Sequence, residues 1–291
     1  MSRMEVPYEG YRPLLFALAY RMLGSVMDAE DVVQDCFLAY SGIGDNGRIA
    51  NEKAYLCKMA TNRCFDLLQS SARQREVYIG PWLPDPLPGD SNIHSDPSES
   101  AERAESISTA YLLLLQQLGA TERAVFLLRE VFAYSYDEIG EIVGKSAANC
   151  RQIFHRARKG IHYDPALRPS YAVAEAKLGE FVHHILSGNI PRLLELLTDD
   201  AIMYSDGGGK VLAARIPILG PSSILQVLLG LVERYDGQYE ASFLPVNGMP
   251  GMMFNMNDGL IYVYSFEFEG DRIKTLYAVA NPDKLRHLRK E

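Results

Sequence analysis

The 291-residue chain has no uninterrupted apolar run of membrane-spanning length, no CxxC pair among its four cysteines and no excess of positive charge. A spanning helix needs about 20 consecutive apolar residues, and Met1–Pro7 lacks the basic-then-apolar order of a signal peptide. A cytoplasmic protein that engages no membrane is therefore expected. Cys36, Cys57, Cys64 and Cys150 each fall on an apolar helical stripe, where a thiol acts as a small hydrophobe, so neither a metal nor a cofactor is expected. The formal net charge of −8 excludes a histone-like coat for DNA, and any nucleic-acid contact must come from a local basic patch.

The composition that remains, 47% apolar and 23% charged, is that of a globular chain long enough for two or three domains. In DAEDVVQDCFLAY, residues Ala29, Val32, Val33, Cys36, Phe37 and Tyr40 recur at helical spacing, and Asp28 is the expected N-cap of that helix. A further helix, EKAYLCKMATNRCFDLLQ, turns Ala54, Cys57, Thr61, Cys64 and Leu68 to one side and Lys58, Asn62, Arg63 and Asp66 to another. The stretch GPWLPDPLPGDSNIHSDPSES breaks every periodicity with proline, glycine and serine and reads as a linker.

Past the linker, SYDEIGEIVGKSAANCRQIFHRARKGI carries the outline of a helix-turn-helix. Ser135 and Glu138 form a capping box, Gly144 is placed to end the first helix in the left-handed conformation, and Ser146 caps the second. Ala147, Cys150, Ile153, Phe154, Ala157 and Ile161 form the inner face of that second helix. Outside it stand Asn149, Arg151, Gln152, His155, Arg156, Arg158 and Lys159, uninterrupted by any acid. Arginine pairs with guanine edges or phosphates, and Asn or Gln with adenine, so the face suits the major groove. A lone module with few phosphate contacts binds DNA weakly at physiological salt. Tethering to a machine already on the DNA raises its effective concentration without new contacts.

These segments name the machine. LLFALAYRMLGSVMDAEDVVQDCFLAY and AYLCKMATNRCFDLL resemble the polymerase-binding domain of bacterial extracytoplasmic-function (ECF) RNA polymerase sigma factors, and the helix-turn-helix block resembles their second domain. GPWLPDPL, SDGGGK and NPDKL extend the resemblance to the subgroup with a fused SnoaL-like C-terminal domain. The fold this implies is multidomain, two all-α sigma domains, the second a helix-turn-helix, followed by an α+β SnoaL-like cone. The expected boundaries are 1–78, a Pro-rich linker over 79–103, then 104–165 and 170–291.

The resemblance implies that Asp31, Gln34 and Asp35 meet core RNA polymerase. It implies that Lys58, Asn62, Arg63, Asp66, Arg73 and Arg75 face the promoter −10 element, and that Asn149, Arg151, Gln152, Arg156 and Lys159 read the −35 element. Leu67 and Gln69 depart from the family, which commonly carries arginine at those positions. Opening a duplex needs no nucleotide hydrolysis when binding to unstacked bases offsets the cost of unpairing. Control in cis by the third domain, with no dedicated anti-sigma factor, also follows from the subgroup pattern.

From about Tyr171, two amphipathic helices lead into SDGGGK, another helix and several alternating strands, an α+β pattern. SDGGGK is no Walker loop, because the spacing is absent and Val211 follows the lysine. Asp206, Tyr204, His183 and His184 are conceivable catalytic groups, but no paired spacing selects them. A hairpin turn is the plain reading. Three glycines between an acid and a base also suit a bare backbone closely approached by another segment. On that reading Asp206, Gly207, Gly208, Gly209 and Lys210 dock near Trp82, Leu83, Pro84, Asp85, Pro86 and Leu87 and fix the spacing of the two sigma domains. An enzyme, or a ligand-sensing DNA-binding regulator with a small molecule in the cone, stands as the alternative.

Overall fold

Gly24 and Ser25 separate the first two helices. Gly24 takes φ of 70°, which stops α1 (Glu5–Leu23), and the Ser25 hydroxyl accepts from the Asp28 amide to open α2 (Val26–Ser41). The cap is thus Ser25 and not Asp28, which lies in the first turn and favours the helix dipole instead. The computed structural model describes residues 5–43, 49, 51–89, 108–161 and 168–289, and the side chains of 5–9 and 71–76 lie outside that description.

The described chain forms two units. The first, the described residues of 1–76 and 111–162, holds α1, α2, α3 (Glu52–Glu76), most of α4 (Thr109–Gln116), α5 (Ala120–Glu130), α6 (Tyr136–Val143) and α7 (Ala147–Gly160). Leu15, Leu18 and Met22 of α1 share a core with Val32 and Cys36 of α2 and with Leu56, Cys57 and Cys64 of α3, all nearly or fully excluded from solvent. All four cysteines are free and buried, and burial pushes the Cys36 thiol up to about 12 and that of Cys57 to about 11, so both are inert hydrophobes. Within the same unit the helix-turn-helix rests on the N-terminal helices. The buried Arg123 guanidinium donates to the Met22 carbonyl oxygen, and Cys57 Sγ lies 3.3 Å from the Tyr134 hydroxyl.

The second unit, 77–91, 106–110 and 163–291, is built on a six-stranded sheet of order β2-β1-β6-β5-β4-β3. Its strands are β1 (Leu197–Asp206), β2 (Ile218–Leu219), β3 (Tyr239–Val246), β4 (Met249–Met256), β5 (Ile261–Glu269) and β6 (Arg272–Val279); β1 runs parallel to β6, and the other pairs are antiparallel. Three helices, α8 (Tyr171–Ser187), α9 (Ile190–Leu196) and α10 (Pro221–Arg234), cover one face. Strand alternation sends Phe266, Phe268, Leu276 and Ala278 into the core beneath them, while Ser265 and Glu267 point the other way, to Thr109 and Arg168. The described part of the Pro-rich segment, 79–89, belongs to this unit. It is extended chain with Leu83 and Leu87 buried and Pro88 bridged to Val246, because an extended, proline-rich stretch presents apolar rings and carbonyl oxygens to a sheet that can receive both.

Candidate functional site

The helix-turn-helix is closed by glycine. A Cβ on Gly140 would stand 2.5 Å from the Lys145 carbonyl oxygen, so the turn needs a bare backbone there, and Gly144 takes φ of 68°. Ser135 donates through its amide and hydroxyl to the Glu138 carboxylate at 2.8 and 2.7 Å, which holds that carboxyl below its usual value. Phe126 and Tyr136 both pack against Phe154, fixing the rotation of α7. Asn149, Arg151, Gln152, Arg156 and Lys159 are all exposed on that helix. The Arg151 guanidinium lies over the Tyr136 ring at 5.0 Å, and Arg156 Nε donates to Glu122 at 2.7 Å. Glu122, on α5, also caps its own helix through the Gly119 amide.

On the N-terminal helices, Asp31 and Gln34 are exposed and Asp35 is half-buried. Lys58, Asn62, Arg63 and Asp66 line the exposed side of α3, and Arg63 pairs with Asp35 across the two helices at 2.9 Å. The structure therefore joins one expected polymerase contact to one expected DNA contact. Arg73 and Arg75 fall in the last turns of α3, and their side chains lie outside the described residues.

The glycine segment sits at the C-terminal end of β1, within the second unit. Asp206 is wholly buried and its carboxylate accepts four hydrogen bonds, from the Tyr78 hydroxyl at 2.5 Å, the Leu83 amide at 2.9 Å, the Gly208 amide at 3.1 Å and Lys284 Nζ at 2.8 Å. Lys284, itself buried, also donates to the Leu83 carbonyl oxygen and stands 3.7 Å above the centre of the Trp82 ring. Burial first, and then the bond to Asp206, pushes the Tyr78 phenol up, so it remains a donor. The glycines leave no room for side chains: a Cβ on Gly207 would lie 2.4 Å from the Val211 carbonyl oxygen, on Gly208 2.2 Å from the Asn281 amide, and on Gly209 2.7 Å from Ile79. Lys210 pairs with Asp283 on the surface. No tight hairpin forms, since 207–217 intervenes before β2.

Further along the linker, Pro84, Asp85 and Pro86 are buried, and His287 Nε2 donates to the Pro86 carbonyl oxygen at 2.8 Å. Asn247 exchanges backbone and side-chain bonds with Leu87, its Oδ1 accepting from the Leu87 amide at 2.9 Å and its own amide donating to the Leu87 oxygen at 2.9 Å. The Asn247 Nδ2 then donates to Thr109 Oγ1 at 3.1 Å. Of the conceivable catalytic groups, Tyr204 stacks on Tyr277 and His183 is exposed on α8 beside His184; neither histidine contacts Asp206, whose oxygens are taken by the linker and Lys284.

Sequence reasoning named the two ends of this cluster and missed its middle. Lys284 and Asn281 lie inside NPDKL, a signal that was visible as a motif. Asn247 is half of an Asn-Gly turn, with φ of 50° there and 72° at Gly248, which announces a hairpin and nothing about its tertiary partner.

The comparisons agree across the chain. The family model for Sigma-70 region 2 matches residues 7–74, and that for Sigma-70, region 4, matches 108–160. The ECF RNA polymerase sigma factor SigJ of Mycobacterium tuberculosis is 33% identical over 97% of this chain and 93% of its own length. The probable ECF RNA polymerase sigma factor SigI of the same species is 28% identical over 98% and 95%. The crystal structure of M. tuberculosis SigJ matches with a TM-score of 0.76 and 27% identity, covering 97% of this chain and 98% of that one. Two sigma helical domains, a helix-turn-helix with one basic outer face and an α+β domain on a six-stranded sheet, carried in one chain beside a relative of this identity and coverage, lead to one conclusion: the protein belongs to the ECF RNA polymerase sigma factors.

Proposed function

We propose that this sigma factor, which directs core RNA polymerase to promoters in the cytoplasm, is governed in cis by its C-terminal cone, in place of a separate anti-sigma protein. The observation that carries the reading is Asn247, which binds Leu87 and Thr109 at once. Leu87 follows α3 by a short stretch and Thr109 begins α4, so the path from one DNA-reading part to the other runs along 77–87, across Asn247 and into α4. The 18 residues between Gly89 and Ser108 lie outside the described residues and are not part of that path. Opening the clamp makes the tether the full 31 residues between Glu76 and Ser108, and effective concentration falls roughly as the −3/2 power of tether length. The clamp thus acts as a ruler for the spacing between the −10 and −35 contacts. The same reading assigns Asp31, Gln34 and Asp35 to polymerase, Lys58, Asn62, Arg63 and Asp66 to the −10 element and the outer face of α7 to the −35 element.

Asn247→Gly keeps the positive φ and removes only the side chain. Run-off transcription with core polymerase, on promoters whose two elements are moved apart one base pair at a time, tests it. The parent should show a sharp optimum; the variant should initiate severalfold less at that optimum and depend less on spacing. Superimposable profiles would remove the ruler.

A further inference from the structure

Between the C-terminal parts of α8 and α10 and the helix-covered face of the sheet lies a cavity of about 180 Å³. Phe181, Met252, Phe266 and Leu276 make its floor, none more than 5% exposed, and Leu186, 62% exposed, stands at its rim. No Asp, Glu, Lys, Arg or His lines it. Native interiors leave few voids larger than a water molecule, and a buried water needs several polar partners, whereas the polar side-chain atoms in these walls are tyrosine hydroxyls alone. Left empty, such a pocket forfeits dispersion contacts along its apolar walls. Its volume exceeds that of engineered apolar cavities, about 150 Å³, that take up benzene. A partner helix does not fit, since one turn about 10 Å across and 5.4 Å long displaces roughly 400 Å³.

The lining also defines the chemistry of the occupant. An ionised group would be buried here without a counter-charge, which is strongly disfavoured. Aromatic walls, including Phe254 edge-on to Tyr264 at 5.5 Å between ring centres, favour a ring. The hydroxyls of Tyr235 and Tyr262 are hydrogen-bonded to each other. Tyr264 supplies a phenol that burial keeps protonated and thus able to donate. Without a carboxylate or imidazole in the walls there is no base for turnover, so the cavity is a binding site.

We propose that this cavity binds a neutral, ring-bearing lipophilic small molecule with one hydrogen-bond acceptor, held by Tyr264. Ser265, the next residue on β5, points to the opposite face and bonds Thr109 at 2.8 Å, so the site backs directly onto the linker anchor. The binding proposal does not depend on the ruler reading, because its test measures no transcription.

The test is calorimetric titration of the full chain with 1-naphthol, and with 1-naphthoate as the same ring system carrying a negative charge. Saturable one-to-one binding of 1-naphthol is expected, with naphthoate at least tenfold weaker. Ile185→Trp, which fills the cavity from α8, should weaken 1-naphthol binding at least tenfold, and Tyr264→Phe, which removes a single oxygen, severalfold. Absence of saturable heat with 1-naphthol, or naphthoate binding as tightly, overturns the proposal on the parent protein alone. So does undiminished binding by an Ile185→Trp protein that melts as cooperatively as the parent.

Discussion

At the scale of the residue, the buried ion pair between Asp206 and Lys284 is one of the contacts that hold the linker against the sheet domain. Both groups are buried, and removing one charge leaves the other without compensation, at a cost of about 3 kcal/mol. Asp206→Asn should lower stability by about that amount. It should also shift the emission of Trp82, the one tryptophan in the chain, because the Lys284 ammonium over its ring loses its anchor. Unchanged denaturation and emission would mean that the linker is held without this pair. His287 offers a second test. Burial holds its imidazole below the usual value, and its Nδ1 has no partner among the described residues. With the folded pKa depressed, the unfolded chain binds the proton more readily. The contribution to stability is therefore complete above the unfolded value of about 6.5 and is lost as pH falls below it. His287→Gln, which can still donate to Pro86, should flatten the fall in melting temperature between pH 7 and pH 5; parallel curves would assign that fall elsewhere.

At the scale of the element, α7 carries its basic outer face on a helix whose start is fixed by local chemistry, a Ser146 cap and a glycine-closed turn before it. Arg156 is held over the start of α5 by Glu122, in an exposed pair that DNA phosphate can outcompete at small cost. Arg156→Ala should weaken promoter binding and reduce the slope of log affinity against log salt by about one, measured by anisotropy at several salt concentrations. An unaltered slope takes Arg156 off the phosphate backbone. The Asp35–Arg63 pair belongs to the same scale: it ties α2 to α3, so the acid expected to meet polymerase also orients a base expected to meet DNA.

Over the whole molecule, what was legible in the sequence followed the range of the forces involved. Helices, the helix-turn-helix and its caps were readable because Ser135, Glu138, Gly144 and Ser146 act on backbone within a turn of themselves. Even there, the expected cap, Asp28, gives way to Ser25, a residue type that caps equally well and stands directly after Gly24, where α1 ends. The glycines of SDGGGK were readable as a demand for close approach, and that demand is met by Val211, Asn281 and Ile79. Local pattern alone determined the helical segments, the basic outer face of α7 and the presence of a bare backbone turn. Only the tertiary structure decided that Asp206 would be sealed by Tyr78, Leu83 and Lys284, that Asn247 would join Leu87 to Thr109 across 138 positions of chain, and that a cavity free of charge would open beneath α8 and α10. The physical reason is that caps and turns are satisfied by neighbours in sequence. A buried charge, an amide and an apolar wall are satisfied by whatever the fold brings within a few ångströms, and no periodicity records that.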